Sequence, residues 1–74
     1  MTAGFNGKAL AQIRRDKGML QFRFASLLGV SRQVVGEWER GIKVPNHQNM
    51  ARIADILECS LDDLFTRADA RVRP

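Results

Sequence analysis

Apolar residues recur along this chain at helical spacing, with no convincing strand alternation. Leu10 and Ile13, at i and i+3, give an apolar edge to a segment from about Lys8 to Lys17. Phe24, Ala25 and Leu28 do the same for a second, Gln21 to Leu28. Met50, Ile53, Ala54 and Leu57, at i, i+3, i+4 and i+7, form the clearest amphipathic stripe. Punctuation falls between these segments. Gly18 and Gly29 stand where a left-handed C-cap would stop a helix. Ser31 stands where an N-cap is wanted, Gly41 closes the segment it opens, and Asn46 after Pro45 can cap the stripe. Ser60 with Asp63 three residues on resembles a capping box with aspartate in place of glutamate, and predicts a short fifth helix through Leu64 and Phe65.

The third segment, Arg32 to Arg40, decides the reading. Only Gly29, Val30 and Ser31 separate it from the second, and two short helices joined by a glycine-bearing three-residue turn make a helix-turn-helix. Val35 and Trp38 share one side and should dock on helices one, two and four. Gln33, Gly36, Glu37 and Arg40, at i, i+3, i+4 and i+7, share the other. That outer row offers little to bury and much that can hydrogen-bond a base edge in a major groove. Gln33 matches adenine, Arg32 guanine or a phosphate, Val34 a thymine methyl and Glu37 a cytosine amino group. Gly36 costs roughly 1 kcal/mol against alanine in a helix; close approach of backbone to DNA would repay it. Gln21, Arg23, Arg40 and Lys43 are expected at phosphates, with Lys43 the best placed, just past the helix.

Charge placement supports a polyanionic partner. Of 74 residues, 1–43 hold eight Lys and Arg against three Asp and Glu, 44–66 one against four, and 67–74 three against one. The chain is short enough for one domain, 1–66, followed by a basic tail, 67–74, whose Arg67, Arg71 and Arg73 are the weakest DNA candidates. A hydrophobic share of 45% is too high for disorder, and nothing approaches an 18-residue apolar span, so a cytoplasmic protein, nucleoid-associated when bound to DNA, is expected. Cys59 and His47 are single, which excludes a disulfide framework and leaves no metal site. Cys59 reads as a small buried hydrophobe, His47 as a surface residue and Asp62 with Asp63 as capping groups. No cofactor, small-molecule ligand or membrane is expected. No nucleophile–base pair or phosphate-cradling loop points to an enzyme.

Residues 6–65 resemble the phage repressor and Cro-like helix-turn-helix family of small bacterial and phage regulators. The resemblance lies in IRRDKG at 13–18, Gln21, Phe24 and Ala25, LLGVSRQVV at 27–35, EWERG at 37–41, Pro45, RIADIL at 52–57 and SLDDLF at 60–65. It implies an all-α, lambda-repressor-like fold of five helices with helix three as the reader. It also implies a symmetric dimer on a palindromic operator, and an Arg14–Glu39 pair bridging helices one and three. Leu20 departs from the family's serine or threonine cap, and Phe22 and Leu27 fall at positions usually polar. Glu37 replaces a commonly basic residue on the DNA face.

A dimer is expected on separate grounds too. One helix reads few base pairs, and Ile56, Leu61, Leu64 and Phe65 supply more apolar surface than a short fifth helix needs. The function expected is sequence-specific binding of duplex DNA by a homodimeric transcriptional regulator, a repressor by the family resemblance. The alternative is a protein-interaction module, antitoxin-like, that keeps the fold with weak DNA readout and docks a partner through Phe22 and Leu27. Phage regulator, antitoxin and restriction–modification controller are not separable at this level.

Overall fold

The computed structural model describes residues 4–66; the basic tail lies outside them. Four α-helices follow one another: α1 (Gly7–Asp16), α2 (Gln21–Leu28), α3 (Arg32–Glu39) and α4 (His47–Leu57). A 3₁₀ helix, Leu61–Leu64, takes the place of the fifth. Two-residue strands, β1 (Gly4–Phe5) and β2 (Phe65–Thr66), pair antiparallel and close the two ends of the fold on each other. Strands this short leave no period-2 signature, which is why periodicity misses them. Phe5 and Phe65 meet edge to face across the pair, with ring centroids 6.5 Å apart. The class remains all-α.

The caps explain the boundaries. Asn6 Oδ1 accepts from the N–H groups of Lys8 and Ala9, Ser31 Oγ from Val34 N–H, and Asn46 Oδ1 from Asn49 N–H. Gly18, Gly29 and Gly41 take left-handed conformations at the ends of α1, α2 and α3. Leu20 precedes α2 with no side-chain cap bond. Ser60 and Asp63 close a reciprocal capping box, each side chain accepting from the other's backbone N–H. Ser60→Ala is therefore expected to cost about 0.5–2 kcal/mol, read as a lower urea midpoint at unchanged slope.

Leu10, Phe24, Leu28, Val35, Trp38, Ile53, Leu57 and Leu64 form a single core. The helix-turn-helix pair packs most closely: α3 lies on α2 and α1, and α4 on α2 and the 3₁₀ helix. The expected docking of α3 on α1 and α2 is therefore the closer part of its packing, and Val35 and Trp38 share one core cluster with Met50, Ile53 and Leu57 of α4. Gly7 permits the contact with α1, because the first turn of α1 sits directly under the carbonyl oxygens of Trp38 and Glu39.

Candidate nucleic-acid interface

Trp38, 3% exposed, anchors α3 inward, and Gln33 points outward to solvent. An open groove of about 430 Å³ runs over the outer face of α3, lined by Gln21, Arg32, Gln33, Gly36 and Arg40. Two guanidinium groups and the exposed Gln33 amide therefore share one groove, a set able to hold phosphate and to pair with base edges. Gly36 is buried although it lies on the outer face. An Arg40 guanidinium nitrogen lies 3.4 Å from where a Gly36 Cβ would be, so Arg40 folds back across the helix and roofs it. The cover over Gly36 is thus a side chain of this protein, which an added Cβ would meet at close to ordinary contact distance.

Several expected contacts are placed differently. Gln21 Nε2 donates to Glu39 Oε1 at 2.8 Å, so this half-buried side chain is already committed within the fold. Its backbone N–H, in the uncapped first turn of α2, is the better group to offer a phosphate. Val34 is half-buried and packs against the core, which limits its reach toward a thymine methyl. Glu37 is also half-buried and pairs with Lys43, Nζ to Oε1 3.6 Å. Arg23 is exposed but borders a second depression, with Leu20 and Phe22, and lies outside the groove lining.

Beneath this surface lies an ion pair that fixes it. Arg14 Nε donates to Glu39 Oε2 at 2.6 Å and Nη2 to Oε1 at 3.2 Å, with the two side chains 8% and 7% exposed. Arg14 Nη1 donates to the Met19 carbonyl at 2.7 Å. One bidentate pair thus ties α1 to α3, and its remaining bonds reach the α1–α2 turn and the start of α2. Among the described residues no buried side-chain nitrogen or oxygen lacks a partner.

The expected apolar interface also changes. Leu64 is fully buried in the core and has no surface to offer a second chain. Ile56 and Phe65 are half-buried against that core. Leu61 remains exposed and joins Val44, Pro45, Met50 and Phe65 around a mostly apolar depression of about 380 Å³. Val44 and Pro45 lie outside the α4–3₁₀ turn on which the sequence focuses, so helical periodicity does not find them. Cys59 is half-buried, and burial together with the nearby Asp63 carboxylate raises its thiol pKa above the ordinary value. Among the described residues no three His, Cys, Asp or Glu cluster as a metal site, and no helix is long and apolar enough to cross a membrane.

Residues 10–64 match the helix-turn-helix family. The chain is 38% identical over 64 residues to the uncharacterized HTH-type transcriptional regulator YazB of Bacillus subtilis, covering 86% of this chain and 93% of that one. It superposes on the P22 c2 repressor in complex with a synthetic operator with a TM-score of 0.76 and 28% identity, covering 82% of this chain and 92% of the repressor chain. The restriction–modification controller C.AhdI from Aeromonas hydrophila gives a TM-score of 0.73 and 34% identity over 80% of this chain and 86% of its own. The protein belongs to the phage repressor and Cro-like class of the helix-turn-helix family of DNA-binding transcriptional regulators.

Proposed function

We propose that the protein is a homodimeric repressor that reads a palindromic operator with the outer face of α3. The observation carrying this reading is the groove in which Arg32 and Arg40 flank the exposed Gln33. Gln33 is assigned as the base reader, with adenine as its bidentate partner. Arg32 at the first turn of α3 serves a guanine or a phosphate, helped by the positive end of the helix. Arg40, drawn back over Gly36, is placed to hold a phosphate at the groove wall. The likeness to a repressor in complex with a synthetic operator supports duplex DNA as the partner. The reading calls for no metal or other cofactor and places the protein in the cytoplasm, at its DNA.

Dimerisation is assigned to the apolar depression around Val44, Met50, Leu61 and Phe65, a surface a second copy could cover about a two-fold axis. The second reading, a protein-docking module, is favoured by one observation: Leu20 and Phe22 stand more than 60% exposed beside each other at the start of α2.

Binding-site selection from random duplexes tests the proposal. A two-fold symmetric site is expected, with half-sites about one helical turn apart. Gln33→Ala should cost about 1–3 kcal/mol, confined to one base position per half-site, whereas Arg32→Ala should weaken a wider set of sequences. Failure to enrich any sequence, with salt-insensitive duplex binding, would favour the docking module.

A further inference from the structure

A carboxylate on a helix that faces phosphates is a cost unless something answers it. Glu37 lies in that position, one turn beyond Gln33, with its side chain 16% exposed and its Oε1 3.6 Å from Lys43 Nζ. Lys43 is held there by backbone as well. Gly41 turns the chain through a left-handed conformation, and the N–H groups of Ile42 and Lys43 both donate to the Glu37 carbonyl, at 2.9 and 3.3 Å. The ammonium also lies beyond the carbonyl end of α3, where the helix dipole favours a cation. Backbone geometry, charge and dipole all favour Lys43 beside Glu37, with the lysine side chain itself 62% exposed.

We propose that Glu37 and Lys43 act as a charge-neutral pair that withholds the Lys43 ammonium from the DNA backbone. Glu37 is then a positioning residue that lowers affinity uniformly, without reading a base. This inference rests on the DNA-reading surface proposed above. It accounts for a half-buried carboxylate on a polyanion-facing helix, and it reverses the roles that sequence alone suggests for both residues. Freed of its partner, Lys43 becomes one more phosphate contact, and each such contact steepens the fall of log affinity with log salt by about 0.9.

The test is binding of the full chain to its selected duplex and to a mixed-sequence duplex across a range of salt. The proteins compared are wild type, Glu37→Gln, Lys43→Ala, the double variant, and Asp55→Asn, which changes net charge equally on an exposed part of α4. Glu37→Gln should tighten both duplexes severalfold by the same factor and steepen the salt slope by about 0.9. Lys43→Ala should weaken both, and the double variant should return close to wild type. The inference is overturned if Glu37→Gln matches Asp55→Asn, if it weakens only the selected duplex at one C·G pair, or if the double variant behaves like Lys43→Ala. Absence of salt-dependent duplex binding in all five proteins removes the DNA-reading proposal itself, and this inference with it.

Discussion

Replacing Glu39 with alanine is expected to destabilise the protein by about 3–5 kcal/mol, the range for stranding one member of a buried ion pair. Arg14, whose side chain is 8% exposed in the intact pair, would be left with only the Met19 carbonyl as partner, and Gln21 would lose its acceptor as well. A domain of this length has a total stability of about 4–11 kcal/mol, so a substantial unfolded fraction should appear on warming. Urea titration followed by Trp38 fluorescence reads the loss directly. Replacing both partners with apolar groups, Arg14→Met with Glu39→Leu, should recover much of it, because neither charge then needs solvation. A loss below about 1 kcal/mol in Glu39→Ala would show the pair to be no more than a surface bridge.

The second large effect is expected at Gly7. Gly7→Ala would place a methyl carbon 2.7 Å from the Glu39 carbonyl oxygen, closer still to that of Trp38. Both obstacles are main chain and cannot rotate away, so α1 and α3 must separate. Overpacking of this kind costs about 1–3 kcal/mol, occasionally more, although alanine is the better helix former by roughly 1 kcal/mol. Gly4→Ala is the matched control, since nothing lies within 4 Å of its added carbon. Thermal unfolding of the two variants should show a lowered midpoint for Gly7→Ala alone. Operator affinity of the Gly7 variant should also fall, because the displaced helix is the proposed reader. Equal midpoints would contradict the close approach of the two helices.

The architecture was legible because its signals are local. Glycines at left-handed positions, Ser31, Asn46 and the Ser60–Asp63 box mark helix ends through bonds reaching two or three residues. The Met50–Ile53–Leu57 stripe marks a buried face by periodicity alone. What stayed hidden depends on contacts between distant segments. Gly7 looks like an ordinary flexible residue until α3 is laid across it. Arg40 over Gly36, and Lys43 returning to Glu37, are side-chain conformations that spacing does not specify. Leu64 illustrates the reverse error. Its apolar character is equally suited to a core and to an interface, and only its complete burial assigns it to the first. Glu58 ends α4 in a left-handed conformation that glycine adopts more readily. The chain keeps that turn with an acidic residue whose carboxylate accepts from Lys17 at 3.2 Å.

At the proposed reading surface, helical spacing identified the side of α3 that faces out, and burial then sorted its members. Gln33 and Arg32 remain free to meet a duplex, whereas Val34, Gly36 and Glu37 are partly or wholly occupied by the protein's own side chains. A three-residue turn with Gly29 in a left-handed conformation sets the angle between α2 and α3. In the proposed reading, that angle lets one helix end approach phosphate while the other lies along base edges.

The central claim is that the outer face of α3 lies against the edges of a duplex. Amide and side-chain chemical shifts of the protein, followed as the selected duplex is added, test it most directly. The largest changes are predicted at Arg32, Gln33 and Arg40 and at the backbone amide of Gln21, with Leu20 and Phe22 little affected by comparison. Changes centred on Leu20 and Phe22, with Arg32 and Gln33 unmoved at saturation, would contradict it.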